Sequence, residues 1–143
     1  MQVVEEQGIR RLRISIGGDG SAYNSVIICN ENFDTDEMAY LDFKIRTSSN
    51  EAAAIMFQIE GSEAWYSLNL IGQQNLFTNL DSLKQINDGQ WHRVTWNLKR
   101  LVRDKFNNSA KIKTLILGSW ENSQKPVVIE LAEMSLGKRN MLN

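Results

Sequence analysis

Apolar and polar residues alternate along much of the chain with a period of two, which is the pattern of β-strands with one buried face. The alternation runs through segments 11–16, 39–46, 53–59, 64–71 and 90–98. Shorter apolar runs at 23–29, 112–117 and 127–131 predict further strands. Gly17-Gly18-Asp19-Gly20, Gly61-Ser62-Glu63, Gly72 and Asp88-Gly89 separate these segments and are typical of turns.

One segment has a helical period instead. Leu98, Leu101, Val102 and Phe106 are spaced i, i+3, i+4 and i+8, which predicts a short helix ending before Asn107. About eight strands with regular turns and one short helix are typical of a sandwich. The sequence therefore predicts an all-β, antiparallel sandwich of the jelly-roll kind, as a single domain over residues 1–143.

The composition of the chain indicates which classes of binding partner are disfavoured. The chain has 143 residues and a net charge of −1, so its overall charge does not favour nucleic acid or an anionic membrane. No apolar run approaches the roughly 18 residues of a membrane span. Cys29 is the only cysteine, which excludes a disulfide within the chain, and its apolar neighbours favour a small buried residue over a reactive thiol.

Candidate catalytic chemistry is sparse. His92 is the only histidine, and it shares the parity of Val94 and Trp96, which predicts a half-buried structural residue. No serine lies in a nucleophile-elbow motif. The glycine-rich segment 17–20 lacks the lysine and helix of a phosphate-binding loop. We therefore expect a protein without a catalytic site of its own.

The segment Asp88-Gly89-Gln90-Trp91-His92-Arg93-Val94-Thr95-Trp96-Asn97-Leu98-Lys99 resembles the late part of galactose-binding-like jelly-roll domains, which include many carbohydrate-binding modules. Those domains often contain Gly-x-Trp-x-x-Val-x-x-x-Leu, then a short helix and two strands, here 111–118 and 127–134. Gly18-Asp19-Gly20 followed by 41–46 fits the early part. Asp88-Gly89-Gln90-Trp91-His92 also resembles a strand of laminin-G-like sandwiches, in which the helix after Leu98 is less expected.

The first resemblance implies a module that binds a polysaccharide or oligosaccharide. It also implies a covalently attached catalytic domain in a parent polysaccharide-degrading protein, at an extracellular or cell-surface location. The alternative is a laminin-G-like interaction or adhesion sandwich without affinity for sugar. An enzyme subunit acting on sugar chains is a third reading, which the lone His92 disfavours.

Sugar binding needs aromatic faces for stacking and a few placed polar groups for hydrogen bonds. Trp91 and Trp96 flank the family-like strand and are expected in the core. Trp65 and Asn69 share the parity opposite Tyr66, Leu68 and Leu70, which predicts an exposed sheet face. Other ligand-binding candidates come from polar connections or outward strand positions: Trp120, Tyr23, Arg46, Arg93 and Asn97.

The resemblance also implies a structural calcium site, since many such modules hold one. The matching positions are Asp19 in the early glycine-rich loop and Glu130 in the last strand. Calcium takes carboxylate and carbonyl oxygens, so both residue types are suitable ligands. Glu130 stands where an aspartate is usual in the family.

Overall fold

Alternating apolar side chains from two β-sheets meet in a shared core in the computed structural model of this chain. The structure describes residues 2–6, 9–17, 24–73, 77–119 and 126–138. Its elements, in chain order, are β1 (Gln2–Glu6), β2 (Ile9–Gly17), β3 (Asn24–Cys29), β4 (Phe33–Asp34), β5 (Tyr40–Arg46), β6 (Ala53–Ile59), β7 (Trp65–Ile71), β8 (Thr78–Ser82), β9 (His92–Asn97), α1 (Leu98–Phe106), β10 (Lys111–Ser119) and β11 (Pro126–Gly137).

The strands form two sheets. The front sheet has the order β1-β2-β11-β5-β9, and the back sheet has the order β3-β10-β6-β7-β8, with β4 also paired to β10. All described pairs are antiparallel except β7 with β8, which run parallel at one edge of the back sheet. The prediction of an all-β sandwich with one short helix is confirmed.

The core lies between the sheets and is built from the alternate residues of each strand whose side chains point to the facing sheet. Phe43 and Phe57 are both 0% exposed and lie on central strands of opposite sheets. Trp96 is 4% exposed, packs against Phe43 with ring centroids 5.8 Å apart, and donates its indole N–H to Asp81 Oδ2 at 3.0 Å. The core prediction for Trp96 is therefore confirmed.

Helix α1 has the predicted bounds and follows β9 without a linker. Asn97 is its N-cap: the Asn97 side-chain oxygen accepts a hydrogen bond from the Arg100 backbone N–H at 3.0 Å. Asn107 ends the helix in the left-handed conformation, with φ of 56°. Leu98 and Val102 are buried, so the helix packs against the core through the residues that gave its periodicity. No helix in the described part of the chain is long and apolar enough to cross a membrane.

A β-bulge interrupts the pairing of β11 with β5. Ala132 pairs with Lys44 and Ser135 with Asp42, so β11 has one more residue than β5 between these pairs. Glu133 lies in the bulge with φ of 52°, a conformation that is uncommon for residues other than glycine. Bulges often redirect a side chain, and this one brings Glu133 to the outward side of the front sheet, where it contacts Lys44 and Arg93.

The cap at Asn97 gives a prediction for stability. Asn97→Ala should lower the free energy of unfolding by about 1 kcal/mol, because an orphan N–H of the first helical turn loses its acceptor. Asn97→Asp is the matched control, since its carboxylate can still accept that bond. Urea unfolding of the three proteins measures the difference. Equal stability of wild type and Asn97→Ala would contradict the assigned cap.

Candidate functional site

The outward side of the front sheet carries a concentration of charged side chains, which we call the cationic face. Strand register places Arg13, Glu130 and Arg46 side by side across β2, β11 and β5. The neighbouring row contains Arg11, Ala132, Lys44 and Arg93 across β2, β11, β5 and β9, with Glu133 in the bulge beside it. The cationic face is defined by seven charged residues: Arg11, Arg13, Lys44, Arg46, Arg93, Glu130 and Glu133.

Glu130 joins three strands through two arginines. Arg46 donates to it in a bidentate arrangement, Nε to Oε1 at 3.1 Å and Nη2 to Oε2 at 3.2 Å. Arg11 Nη1 lies 2.6 Å from Oε2 on the opposite side. The Glu130 side chain is 17% exposed, so this cluster is partly shielded from water and fixes the position of Arg46.

Glu133 joins Lys44 and Arg93 of the second row, as Glu130 joins two arginines. Lys44 and Arg93 are direct cross-strand partners of like charge, a pairing that destabilises a sheet when nothing intervenes. Arg93 donates to Glu133 Oε2 at 2.9 Å and Lys44 to Oε1 at 3.4 Å. The hydrogen bonds from Arg93 and then from Lys44 hold the pKa of Glu133 below its usual value of 4.5.

Trp91 is exposed, and the expectation that it lies in the core is wrong. It is 37% exposed, one of three large apolar side chains that are exposed among the described residues; the others, Ile27 and Met38, are not aromatic. The Arg46 guanidinium carbon lies 4.8 Å from the Trp91 ring centroid, a cation–π arrangement. Parity signals this position, because Trp91 shares the outward parity of Arg93 and Asn97 rather than the inward parity of Val94 and Trp96.

A polar depression lies at the end of β5, and one of its lining residues is Arg46, whose guanidinium lies over the Trp91 ring. Its volume is about 370 Å³, and it is lined by Arg13, Arg46, Thr47, Ser48, Ser49, Gly89, Val128 and Glu130. Thr47 donates its hydroxyl to the Val128 carbonyl at 2.7 Å, and the Gly89 N–H donates to the Thr47 carbonyl at 2.9 Å. These bonds join the 47–49 loop to β11 and to the turn before Trp91. Ser48 is exposed and Ser49 is half-buried, so their hydroxyl groups line the opening together with Arg46, the side chain that lies over the Trp91 ring.

A second depression of about 590 Å³ lies across the same loop. Its lining combines apolar and amide side chains: Asn50, Leu70, Ile71, Gly72, Gln73, Ser82, Leu83, Lys84, Gln85, Ile86 and Asn87. Asn87 donates to the Ser49 carbonyl at 3.1 Å and to Asn50 Oδ1 at 2.9 Å, which ties the two loops together. Neither depression has an aromatic residue in its described lining, but Arg46 in the lining of the first lies over the exposed Trp91 ring, so the first depression fits a stacked sugar better.

The two candidates on β7 lie away from the cationic face. Asn69 is 2% exposed and accepts a hydrogen bond from the Ser67 hydroxyl at 3.3 Å, so the expected exposed sheet face is wrong at this residue. Trp65 is half-buried at the start of β7, with its ring centroid 6.0 Å from that of Phe77. Met56, on the same side of the adjacent strand, is 0% exposed, which shows that both sides of the back sheet are covered here.

The outward candidates on the front sheet have different surroundings. Arg46 and Arg93 both belong to the cationic face and are held by Glu130 and Glu133. Asn97 lies at the far end of β9, where its oxygen caps α1 and its amide donates to the Tyr40 hydroxyl at 3.4 Å. Arg46 and Arg93 are therefore placed near Trp91, and Asn97 is occupied elsewhere.

His92 is half-buried, as predicted, and bonds to a carboxylate. Its Nε2 lies 2.7 Å from Asp88 Oδ1, and Asp88 is the only hydrogen-bond partner of the imidazole among the described residues. The hydrogen bond from His92 lowers the pKa of Asp88 below its usual value. The same Asp88 oxygen accepts a hydrogen bond from the Gln90 backbone N–H at 3.0 Å, so the pair orders the turn before Trp91.

Three predicted site residues, Tyr23, Trp120 and Asp19, lie outside the described residues. At Glu130 the surroundings do not fit calcium, because two guanidinium groups contact its carboxylate oxygens. The residues that the structure describes contain no group of three or more histidine, cysteine or acidic side chains that could hold a metal ion. Calcium bound through Asp19 stays a prediction.

Comparison with known proteins adds little to this geometry. No family model matches the chain, and no curated protein matches it. A solved structure of an exo-beta-agarase aligns with 97% of the chain at a TM-score of 0.42 and 10% identity. The chain spans 22% of the length of that structure's chain. This likeness is too low to transfer a fold or an activity, and membership of the galactose-binding-like family stays a prediction.

The Glu133 contacts give a prediction for pH dependence. A carboxyl whose pKa is lowered on folding stabilises the protein above its usual pKa, and this stabilisation is lost as the pH falls through the lowered value. An NMR titration should give Glu133 a midpoint below 4.5 in the wild type. Arg93→Gln should raise that midpoint, because the strongest hydrogen bond to the carboxylate is removed.

Arg103→Gln is the control for this titration. Arg103 is on helix α1, where its nearest acidic partner is Asp36, so the Glu133 midpoint should not change. A wild-type midpoint at or above 4.5, or one that Arg93→Gln leaves unchanged, would contradict the assigned contacts.

Proposed function

We propose that this domain is a non-catalytic glycan-binding module whose ligand lies on the front sheet, over Trp91 and the adjoining polar depression. The observation that carries the proposal is an exposed tryptophan in contact with Arg46, which also lines an opening with hydroxyl and charged groups. A sugar ring has an apolar C–H face and a rim of hydroxyls. Sites for small ligands generally combine an apolar surface with a few fixed polar groups, and this arrangement supplies both.

Trp91 supplies the apolar surface. Arg46 covers part of one ring face, so a pyranose would stack on the part of the ring that stays exposed. The same arginine is held by Glu130 through two hydrogen bonds, which restricts its motion and that of the ring beneath it. A platform that is already ordered loses less conformational entropy on binding.

The depression supplies the polar groups. Ser48 and Arg13 are exposed at its lining, and Glu130 lies between the two arginines of its row. A hydroxyl of serine both donates and accepts, whereas a guanidinium only donates. Sugar hydroxyls do both, so they can be matched by this set.

The proposal extends to the setting of the domain. A module of this kind would hold a catalytic domain of the same parent protein close to a polysaccharide, outside the cell or at its surface. The resemblance of segment 88–99 to carbohydrate-binding modules supports this setting.

Trp91→Ala should abolish measurable binding. Removing an aromatic anchor from the centre of a binding patch costs about 2 kcal/mol or more, which is roughly a thirty-fold loss of affinity. Trp91→Phe retains an aromatic face and should bind more weakly than wild type but measurably. Calorimetry against a panel of soluble polysaccharides measures the affinities, after circular dichroism has shown that each variant is folded.

Trp65→Ala is the matched control, because Trp65 is a half-buried tryptophan on the other sheet. It should bind as the wild type does if it is folded. Loss of affinity in Trp65→Ala and not in Trp91→Ala would move the site to β7. Failure of the wild type to bind any glycan would favour the protein-interaction alternative.

A further inference from the structure

The cationic face has more positive charge than its own carboxylates neutralise. Its two rows contain five cations and two carboxylates, in a chain whose net charge is −1. The next outward position on β5 is Asp42, but it is 1% exposed and accepts a hydrogen bond from Thr95, so it adds little negative charge at the surface. Among the described residues, an excess of positive charge is therefore concentrated around the proposed glycan site.

The excess is greatest at Arg13. Arg11 and Arg46 share Glu130, and Lys44 and Arg93 share Glu133. Arg13 is exposed, lines the depression, and forms no ion pair within the described part of the chain. The register partner of Arg13 on β1 is Gln2, which carries no charge. A guanidinium without an ion-pair partner among the described residues thus lies at the wall of an opening that a ligand can enter.

The geometry around Arg13 suits an anion on a sugar. Arg13, Glu130 and Arg46 are consecutive partners across the sheet, and the ring of Trp91 lies under Arg46. A planar guanidinium matches carboxylate and sulfate oxygens and binds them more strongly than neutral hydroxyls. Glu130 would repel an anion, but its charge is offset by Arg11 and Arg46, so Arg13 is the group left to attract one.

We propose that the ligand of this site is an acidic glycan, with a carboxylate or sulfate group bound at Arg13 while a sugar ring stacks on Trp91. The inference rests on the proposed function and narrows it to a substrate class. Nucleic acid is disfavoured, because the described exposed surface of the site offers one aromatic ring where single-stranded binding uses successive stacked bases.

Pairs of glycans that differ only in charge separate the contribution of the anionic group to the affinity from that of the sugar. Polygalacturonate is compared with its methyl-esterified form, and dextran sulfate with dextran, by calorimetry at low and moderate salt. We expect the charged member of at least one pair to bind about tenfold or more tightly, with an affinity that falls as salt is added, since screening weakens exposed charge interactions. Which pair shows the difference distinguishes carboxylate from sulfate.

Variants of the protein test whether the preference for a charged glycan depends on Arg13. Arg13→Gln should weaken binding of the charged ligand about tenfold. The neutral ligand should lose much less affinity, because the glutamine amide can still donate a hydrogen bond to a sugar hydroxyl but supplies no charge for an anion. Arg100→Gln removes the same charge from helix α1, where the side chain is 74% exposed, and should change neither. Arg13→Lys should restore part of the affinity, since it retains the charge without the planar fork.

Three results would overturn the inference. Equal affinity for the charged and neutral members of both pairs, together with Trp91-dependent binding, would leave the glycan module standing and remove its preference for acidic chains. Binding of a single-stranded oligonucleotide as tight as that of the acidic glycan would indicate a general polyanion surface. Absence of binding to every glycan would contradict the proposed function as well as this inference.

Discussion

Five cationic side chains on one face of a sheet repel one another, and the two carboxylates of β11 hold four of them in place. Glu130 draws Arg11 and Arg46 together across three strands, and Glu133 separates the like charges of Lys44 and Arg93. The second carboxylate depends on the bulge, which inserts one residue and turns Glu133 outward at a positive φ. The outward surface of the front sheet is therefore organised from its central strand.

This organisation positions the candidate site. Arg13, Glu130, Arg46 and Trp91 are far apart in sequence and become neighbours because antiparallel register aligns β2, β11 and β5 and places the residue before β9 beside them. The bidentate bond from Arg46 to Glu130 fixes the guanidinium that covers Trp91. A partly buried ion pair of this kind adds modest stability, and its larger consequence here is an ordered aromatic surface beside a polar opening.

Period-two alternation predicted the strands and the helical spacing predicted α1 because both follow from local geometry. Parity identifies which side of a sheet a residue occupies, and it placed Arg46 and Arg93 on one outward surface. Parity does not show whether that side is covered: Ser67 and Asn69 point away from the core and are still buried. The position of Trp91 beside the family-like strand predicts a core residue, although its parity with Arg93 indicates the outer side of the sheet.

The pairing of strands that are distant along the chain could not be predicted from the sequence. Which cation meets which carboxylate depends on the strand order β2-β11-β5-β9 and on a bulge whose extra residue, Glu133, is not one of the turn-forming types. The parallel pairing of β7 with β8 likewise has no local sequence signal. The outward residues of the candidate site could therefore be predicted from the sequence, but the ion pairs that connect them could not.

We propose that glycan binds on the outward surface of the front sheet, around Trp91. The most direct measurement is an NMR titration of the isotopically labelled protein with an oligogalacturonate, following backbone amide and indole N–H signals together. We predict that the Trp91 indole and the amides of 46–49 and 89–91 shift first and most, while the Trp65 indole stays unchanged. Shifts centred on Trp65 and β7, with Trp91 unaffected, would contradict the account.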